Sequence, residues 1–268
     1  MLEYNFLAGL ILAVVQGVSE WLPISSSGHL VVGEWLLGYN ADFVFEVVVH
    51  LGTLMAVFVY YGRDIVSIVR DVLHGRLGSE YGRLGILVGV ATIPAAIIGF
   101  LFRSVFEFAF EHLGVVALGF GVSALVLFIA SRDFEDQKPF QRRVFGYREA
   151  LIVGIAQVFA LFPGISRSGM TIAAGLLAGL KEKEALRFSF LMSIPVIFGA
   201  NVLVIGTRSL PPQYVWATLV SFIVGMATIH LLLRYFLKDK KNLWWFGVYV
   251  GILAFFVGGI FLYDFLSS

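Results

Sequence analysis

Residues 163–171 read Pro163-Gly164-Ile165-Ser166-Arg167-Ser168-Gly169-Met170-Thr171. They interrupt a largely apolar run, 149–180, near its middle. A second interruption, Gln16-Gly17-Val18-Ser19-Glu20-Trp21-Leu22-Pro23-Ile24-Ser25-Ser26-Ser27-Gly28-His29, breaks the run 4–40 in the same way. Each half is about 12–16 residues, short of the roughly 20 that a bilayer span needs. Two short apolar halves around a Pro/Gly/Ser break predict a re-entrant helix–loop–helix hairpin. Irregular backbone at membrane depth persists only where it lines protein or a water-filled cavity.

The rest of the chain sets those hairpins in a membrane. Of 268 residues, 59% are apolar and 14% are charged. A soluble domain carries roughly a quarter charged residues, and could not bury this much apolar surface. The balance excludes an ordinary soluble enzyme, a disordered protein and a nucleic-acid binder. With no cysteine, disulfides, thiolate metal sites and cysteine nucleophiles are excluded too. The N-terminus lacks a basic n-region and an A-x-A cleavage site, so it is expected to belong to the mature protein.

Six stretches read as full helical spans: 43–62, 84–102, 113–131, 188–207, 209–233 (losing Pro211 and Pro212 to a loop) and 243–263. The expected fold is therefore an all-α polytopic membrane protein of one domain. It has six full transmembrane helices and two re-entrant hairpins. With a shift of 141 residues, Gln16, Ile24, Ser25, Ser27 and Gly28 fall on Gln157, Ile165, Ser166, Ser168 and Gly169. Each hairpin precedes three spans, so repeat one (about 1–131, hairpin 4–40) and repeat two (about 148–268, hairpin 149–180) are expected to be inverted relative to each other.

Charge placement orients the chain. If 62–83 is cytoplasmic, so are 131–148, 181–187 and 234–242. Those stretches hold Arg63, Arg70, Arg76, Arg83, Arg132, Lys138, Arg142, Arg143, Arg148, Lys181, Lys183, Arg187, Arg234, Lys238, Lys240 and Lys241. Only Arg103 and Arg208 lie opposite, a positive-inside imbalance. Both termini are then extracytoplasmic, and the two breaks meet near the midplane. The remaining basic residue, Arg167, sits within the membrane, where a charge marks a functional site. Glu20, in the other hairpin, is its natural counter-charge.

The two breaks supply hydroxyls, one His, one carboxylate, one Arg and two helix starts, whose N–H groups and dipoles favour anions. Arginine matches phosphate geometry. This inventory suits phosphoryl transfer: a serine attacks phosphorus, His29 shuttles the proton, and Arg167 steadies the oxygens. Glu20, with Gln16 beside it, is placed to hold a divalent cation or orient a nucleophile. Glu46 and His50, four residues apart, line the cavity or serve structure. His74, His112 and His230 read as incidental, and Trp216, Trp244 and Trp245 as an interfacial belt.

The pattern Q-G-x-x-E-W-L-P-x-S-S-S-G-H, residues 16–29, resembles the first signature of the undecaprenyl-diphosphate phosphatase, or bacitracin-resistance, family. P-G-I-S-R-S-G-M-T, 163–171, resembles its second. The similarity extends through 45–52, 91–95 and 188–195. The resemblance implies an integral membrane phosphatase that converts a polyprenyl diphosphate to the monophosphate, recycling a lipid carrier for cell-wall glycan synthesis. It implies Ser26 as nucleophile, His29, Glu20 and Arg167 as further catalytic residues, and Ser25, Ser27, Gly28, Ser166, Ser168, Thr171 and Gln16 around the diphosphate. It also implies a divalent cation, Mg2+ or Ca2+, with Glu20 as its ligand. The family's first acidic position is Gln16 here, which removes one carboxylate ligand. A serine-nucleophile route and a metal- or histidine-centred route both remain open, as does a homodimer. The active site is expected to open to the outer face, with an apolar lateral groove for the prenyl tail. A lipid flippase or secondary transporter is the alternative, since inverted repeats and broken helices also serve transport. A phosphatidate-phosphatase-like site is disfavoured: no His or Asp follows Ser166-Arg167 at the needed spacing.

Overall fold

The computed structural model describes residues 2–132, 145–205, 212–236 and 239–267. The basic residues Lys138, Arg142, Arg143 and Lys238, together with Arg208 and Pro211, lie outside the described residues. Among the described residues all regular structure is helical.

The first break separates α1 (Leu2–Ser19) from α2 (Ser26–Leu37), and the second separates α8 (Tyr147–Phe159) from α9 (Arg167–Leu177). Six longer helices fall on the six apolar stretches: α3 (Phe43–Tyr60), α5 (Glu80–Leu101), α7 (Leu113–Ser131), α10 (Glu182–Ile205), α11 (Gln213–Leu231) and α12 (Leu243–Ser267). Pro212 caps α11, so the chain turns helical only after the Pro pair. Among the described residues, four helical segments are long and apolar enough to cross a membrane: Glu80–Leu101, Leu113–Ser131, Tyr214–Arg234 and Lys240–Ser267. Val44–Tyr60 with Gly62–Leu73 passes as a pair bent by 82°. Large apolar side chains such as Phe100, Leu118, Ile223 and Phe255 are exposed. A hydrocarbon solvent accommodates that surface and water does not. The chain is a multi-pass membrane protein.

Two connectors are helical rather than loops. α4 (Gly62–Leu73) leaves α3 at the 82° bend. It is amphipathic: Ile68 and Val72 face Gly85 of α5, while Val66, Val69 and Leu73 are exposed beside Arg63 and Arg70. A helix of this pattern lies along a membrane interface rather than through it. α6 (Arg103–Phe110) fills the next connector, with Arg103 Nε donating to Glu107 Oε1 at 2.7 Å.

The helices bring the two breaks together. α1 packs on α2 and on α11; α8 packs on α9 and on α5; α7 lies along α12, and α3 along α10 and α11. The second break is pressed onto α7 by backbone contact. A Cβ at Gly119 would lie 2.2 Å from the Pro163 carbonyl oxygen, and one at Gly164 2.2 Å from that of Val116. Gly164 also has φ 85°, a left-handed value that favours glycine. Ser123 completes the dock: its hydroxyl donates to Gly164 O at 3.0 Å and accepts from Ser166 N at 2.8 Å. Gly119→Ala is therefore expected to cost about 1–3 kcal/mol by overpacking, read as a lowered unfolding temperature in detergent. An unchanged temperature would show that the break relaxes freely.

Candidate active site

The two breaks are built alike. Ser25 caps α2, its hydroxyl accepting from Gly28 N at 3.3 Å. Ser166 caps α9, accepting from Gly169 N at 3.0 Å. In each, the cap hydroxyl also touches the serine two residues on: Ser25 to Ser27 at 3.3 Å, Ser166 to Ser168 at 3.2 Å. Capping hydroxyls satisfy N–H groups that a helix start leaves open. Ser25 differs in one respect. Its φ of 70° is the only positive value at a non-glycine among the described residues, a conformation costing about 1–3 kcal/mol. It turns the chain so that Ser26 opens α2 facing back toward Glu20.

Glu20 is the centre of the cluster. Its carboxylate is buried, and a buried charge needs partners. Oε1 pairs with the Arg167 guanidinium from the second break. Oε2 accepts from Ser26 Oγ at 2.5 Å and from Gln16 Nε2 at 3.0 Å, and lies 3.6 Å from His50 Nε2. Arg167 also lies over the Trp21 ring, 5.6 Å from its centroid, a cation–π contact that fixes the guanidinium plane. Its Nη1 is buried and has no partner. That orphan donor is a place for an anionic oxygen, because leaving it empty costs free energy.

The structure brings Gln16, Glu20, Ser26 and Arg167 into one hydrogen-bonded cluster. Ser26, Ser27, His29, His50 and Arg167 are partly accessible; Gln16, Glu20, Ser25, Gly28, Ser166, Ser168 and Thr171 are buried. Several hydroxyls face protein instead of the opening. Ser168 donates to Leu22 O at 2.8 Å and so ties the two breaks together. Thr171 donates to Arg167 O at 2.8 Å and shares a 2.6 Å hydrogen bond with Ser189. Gly28 is there because Phe120 leaves no room: a Cβ would come 2.6 Å from that ring.

His29 bonds through its ring nitrogens to groups other than the Ser26 hydroxyl. Its Nδ1 is 2.7 Å from Ser25 O and its Nε2 is 2.9 Å from the Tyr249 hydroxyl. The ring stacks on Tyr249 and meets Phe120 edge-on. A carbonyl accepts only, so Nδ1 donates and Nε2 accepts from Tyr249. Four residues that bear on the site were not among the sequence candidates: Tyr249, Ser123, Ser189 and, as a partner of Glu20, His50. His50 alone carried a signal, as an ionisable residue four positions from Glu46 inside an apolar stretch.

The donors suit a resident divalent cation poorly. Such a cation takes about six or more oxygens. Here the single carboxylate already pairs with Arg167 and carries three further contacts on Oε2. The one spare oxygen is the buried, partnerless Gln16 Oε1. Among the described residues no group of three His, Asp or Glu is placed to hold a metal.

Comparison with known proteins gives the family of the chain. The profile of the family described as bacitracin resistance protein BacA matches residues 9–256, which include both breaks. The undecaprenyl-diphosphatase of Rubrobacter xylanophilus is 38% identical over 98% of this chain and 100% of its own length. That of Thermosipho africanus is 37% identical over 93% of this chain and 99% of its own, and that of Mycobacterium ulcerans 39% over 91% and 93%. The chain belongs to the bacitracin resistance protein BacA family.

Proposed function

We propose that this chain is an integral membrane phosphatase. It hydrolyses a polyprenyl (undecaprenyl) diphosphate to the monophosphate and inorganic phosphate, recycling the lipid carrier of cell-wall glycan synthesis and conferring bacitracin resistance. One observation carries the reading: the Ser26 hydroxyl lies 2.5 Å from a carboxylate whose other oxygen is held by Arg167 of the opposite break.

Ser26 attacks the terminal phosphorus while Glu20 takes its proton. The anhydride P–O bond breaks, and its electron pair leaves with the lipid monophosphate. Arg167 Nη1 and the first N–H groups of α2 and α9 receive the phosphoryl oxygens. Water then hydrolyses the phosphoserine. Gln16 orients Glu20, Ser27 lies beside the nucleophile at the opening, and the buried Ser25, Gly28, Ser166, Ser168 and Thr171 hold the two helix starts in place. His29, bonded to Ser25 O and to Tyr249, steadies the start of α2 beside the nucleophile. A Mg2+ or Ca2+ ion brought by the substrate would offset charge on the diphosphate beside Glu20.

The reading also takes six spans and two re-entrant hairpins in two inverted repeats. The contact pattern supports it: exchanging the halves turns α1–α11 into α8–α5 and α1–α2 into α8–α9, and α3–α10 and α7–α12 into themselves. The lengths of α2, α8 and α9, 12, 13 and 11 residues, support it as well, being well short of a span. The positive-inside rule puts both termini and the mouth of the first hairpin outside.

The test is phosphate release by purified protein in detergent. A prenyl diphosphate is expected to yield stoichiometric monophosphate and phosphate, and a chelator to stop the reaction by stripping the substrate's cation. Binding of the diphosphate without any phosphate release would overturn the assignment in favour of a transporter.

A further inference from the structure

We propose that Arg132, Lys181 and Lys240 form a binding site for the headgroup of one anionic phospholipid of the bilayer. The site lies apart from the two breaks and stands whether or not the phosphatase reading does.

Three distant parts of the chain meet there. Arg132 follows the last turn of α7, Lys181 links α9 to α10, and Lys240 opens a short 3₁₀ turn before α12. α9 and the Lys240 turn both pack on α7. Together they bound a half-open cavity of about 210 Å³, with Leu176, Leu177 and Leu180 on its wall beside the three cations. Glu182 is the one carboxylate lining it, so the positive charges outnumber the negative. A positive-inside bias requires basic residues on one side of the membrane. It does not require three of them to converge on one apolar-walled hollow.

The helix ends nearby do not occupy these cations. Lys and Arg at a helix C-terminus often pair with its open carbonyls. Here the chain closes its own ends. Gly179, at φ 96°, turns the chain beyond α9. The N–H groups of Ala178, Gly179 and Leu180 then donate to the carbonyls of Ala174, Leu176 and Gly175. At the end of α7 the Ser131 hydroxyl donates to Phe128 O, and Arg132 N to Ile129 O. Asp239 caps the 3₁₀ turn, accepting from Lys241 N at 2.9 Å. Among the described residues neither Arg132 nor Lys181 has an ion-pair partner.

The depth fits a headgroup. Trp244, one turn beyond Lys240, is exposed and lies 6.0 Å from the ring of Phe128, one turn before Arg132. Trp245 beside it is exposed too. Exposed tryptophans mark the level of the membrane interface, so the three cations sit among phosphates. In the orientation that the positive-inside rule gives, the cavity faces the cytoplasmic leaflet. Basic pockets between helices on that side take anionic headgroups. The leucine wall selects a lipid over a free anion, because the methylenes next to a headgroup cover apolar surface that an inorganic ion leaves in water. α9 carries Arg167 at its first position and Leu177 at its last. A headgroup that ties the end of α9 to α7 and to the start of α12 therefore steadies the second break from the far end of the same helix.

The experiment is a lipid titration of the full chain in detergent, read by native mass spectrometry and by unfolding temperature. The probes are phosphatidylglycerol, phosphatidylcholine with the same acyl chains, and inorganic phosphate. The first phosphatidylglycerol is expected to bind about 10-fold or more tighter than phosphatidylcholine, and it alone to raise the unfolding temperature. Each basic side chain at an anionic lipid is worth about 5-fold in affinity. Arg132→Gln/Lys181→Gln is therefore expected to weaken that first site about 25-fold, and Lys181→Gln alone about 5-fold. Arg63→Gln/Arg70→Gln removes the same charge from α4, away from the cavity, and is expected to change it less than about 2-fold. Unfolding temperatures in lipid-free detergent show that each variant folds, and the single variant carries the test if the double one does not. Equal affinity for the two lipids overturns the proposal. So does equal weakening in the cavity and α4 variants, which makes the attraction a property of the whole basic face. Inorganic phosphate that competes with phosphatidylglycerol at equal affinity also overturns it, by showing a free-anion site.

Discussion

Replacing Arg167 by alanine is expected to reduce phosphate release about 10³-fold or more, the scale on which a phosphate-clamping arginine acts, and to destabilise the fold. Both effects follow from one guanidinium with two tasks. One arm neutralises Glu20 across the two breaks; Nη1 is buried with no protein partner. Removing the side chain leaves Glu20, a carboxylate with 4% of its side chain exposed, without its guanidinium. Stripping one partner from a buried pair costs about 3–5 kcal/mol, large against the stability of a single domain. The two losses separate in the Arg167→Ala/Glu20→Gln double variant. It removes the uncompensated charge, so much of the unfolding temperature returns, but no arginine returns to the phosphate and activity does not. Arg167→Lys is expected to keep more stability than activity, because a point charge replaces a fork. Turnover within about 10-fold of wild type in Arg167→Ala would remove Arg167 from the diphosphate site.

Much of this site was legible because charge is scarce in an apolar chain. Arg167 stood out as the basic residue that no loop could claim, and Glu20 as the acid that could meet it. Serines at two breaks with a common spacing announced two helix caps, and both caps are present. What stayed hidden follows from the same logic. Tyr249 is one of 10 tyrosines and lies in a run as apolar as its neighbours; only the packing of α12 beside α2 makes it the partner of His29. Ser123 looks like any small residue in a span until Gly119 and Gly164 bring the second break within its reach. The direction of a side chain was equally unreadable. Adjacent to the serines, His29 reads as their proton shuttle, yet the strained turn at Ser25 points Ser26 at Glu20 and His29 at Tyr249. Composition hides α4, whose charged residues Arg63, Asp64, Arg70 and Asp71 resemble those of a loop. Their spacing instead leaves an apolar face for α5 and a second for the membrane.

Ser26→Ala is expected to have the largest effect of all, a loss on the order of 10⁴ to 10⁶-fold in kcat, as when the nucleophile of a linked catalytic group is deleted. The geometry makes the prediction sharp, because two routes lead to different numbers. If Ser26 is the nucleophile, alanine removes the atom that bonds to phosphorus, and no other hydroxyl here is bonded to Glu20: Gln16 is an amide, Ser25 is buried against its own helix start, and Ser27 is bonded to Ser25 instead of to the carboxylate. If instead water attacks directly, with Glu20 as its base, Ser26 contributes only a hydrogen bond to that carboxylate. Its loss then costs about 0.5–3 kcal/mol, or roughly 10²-fold at most. The size of the defect thus chooses between them. Rapid acid quenching of the wild type supplies a second readout, since the serine route passes through a phosphoserine on Ser26 and the water route does not. Binding adds a third. The alanine variant keeps Arg167 Nη1 and both helix starts, so it is expected to hold the lipid diphosphate with nearly wild-type affinity. A variant that binds and still releases phosphate at the wild-type rate would end the serine mechanism.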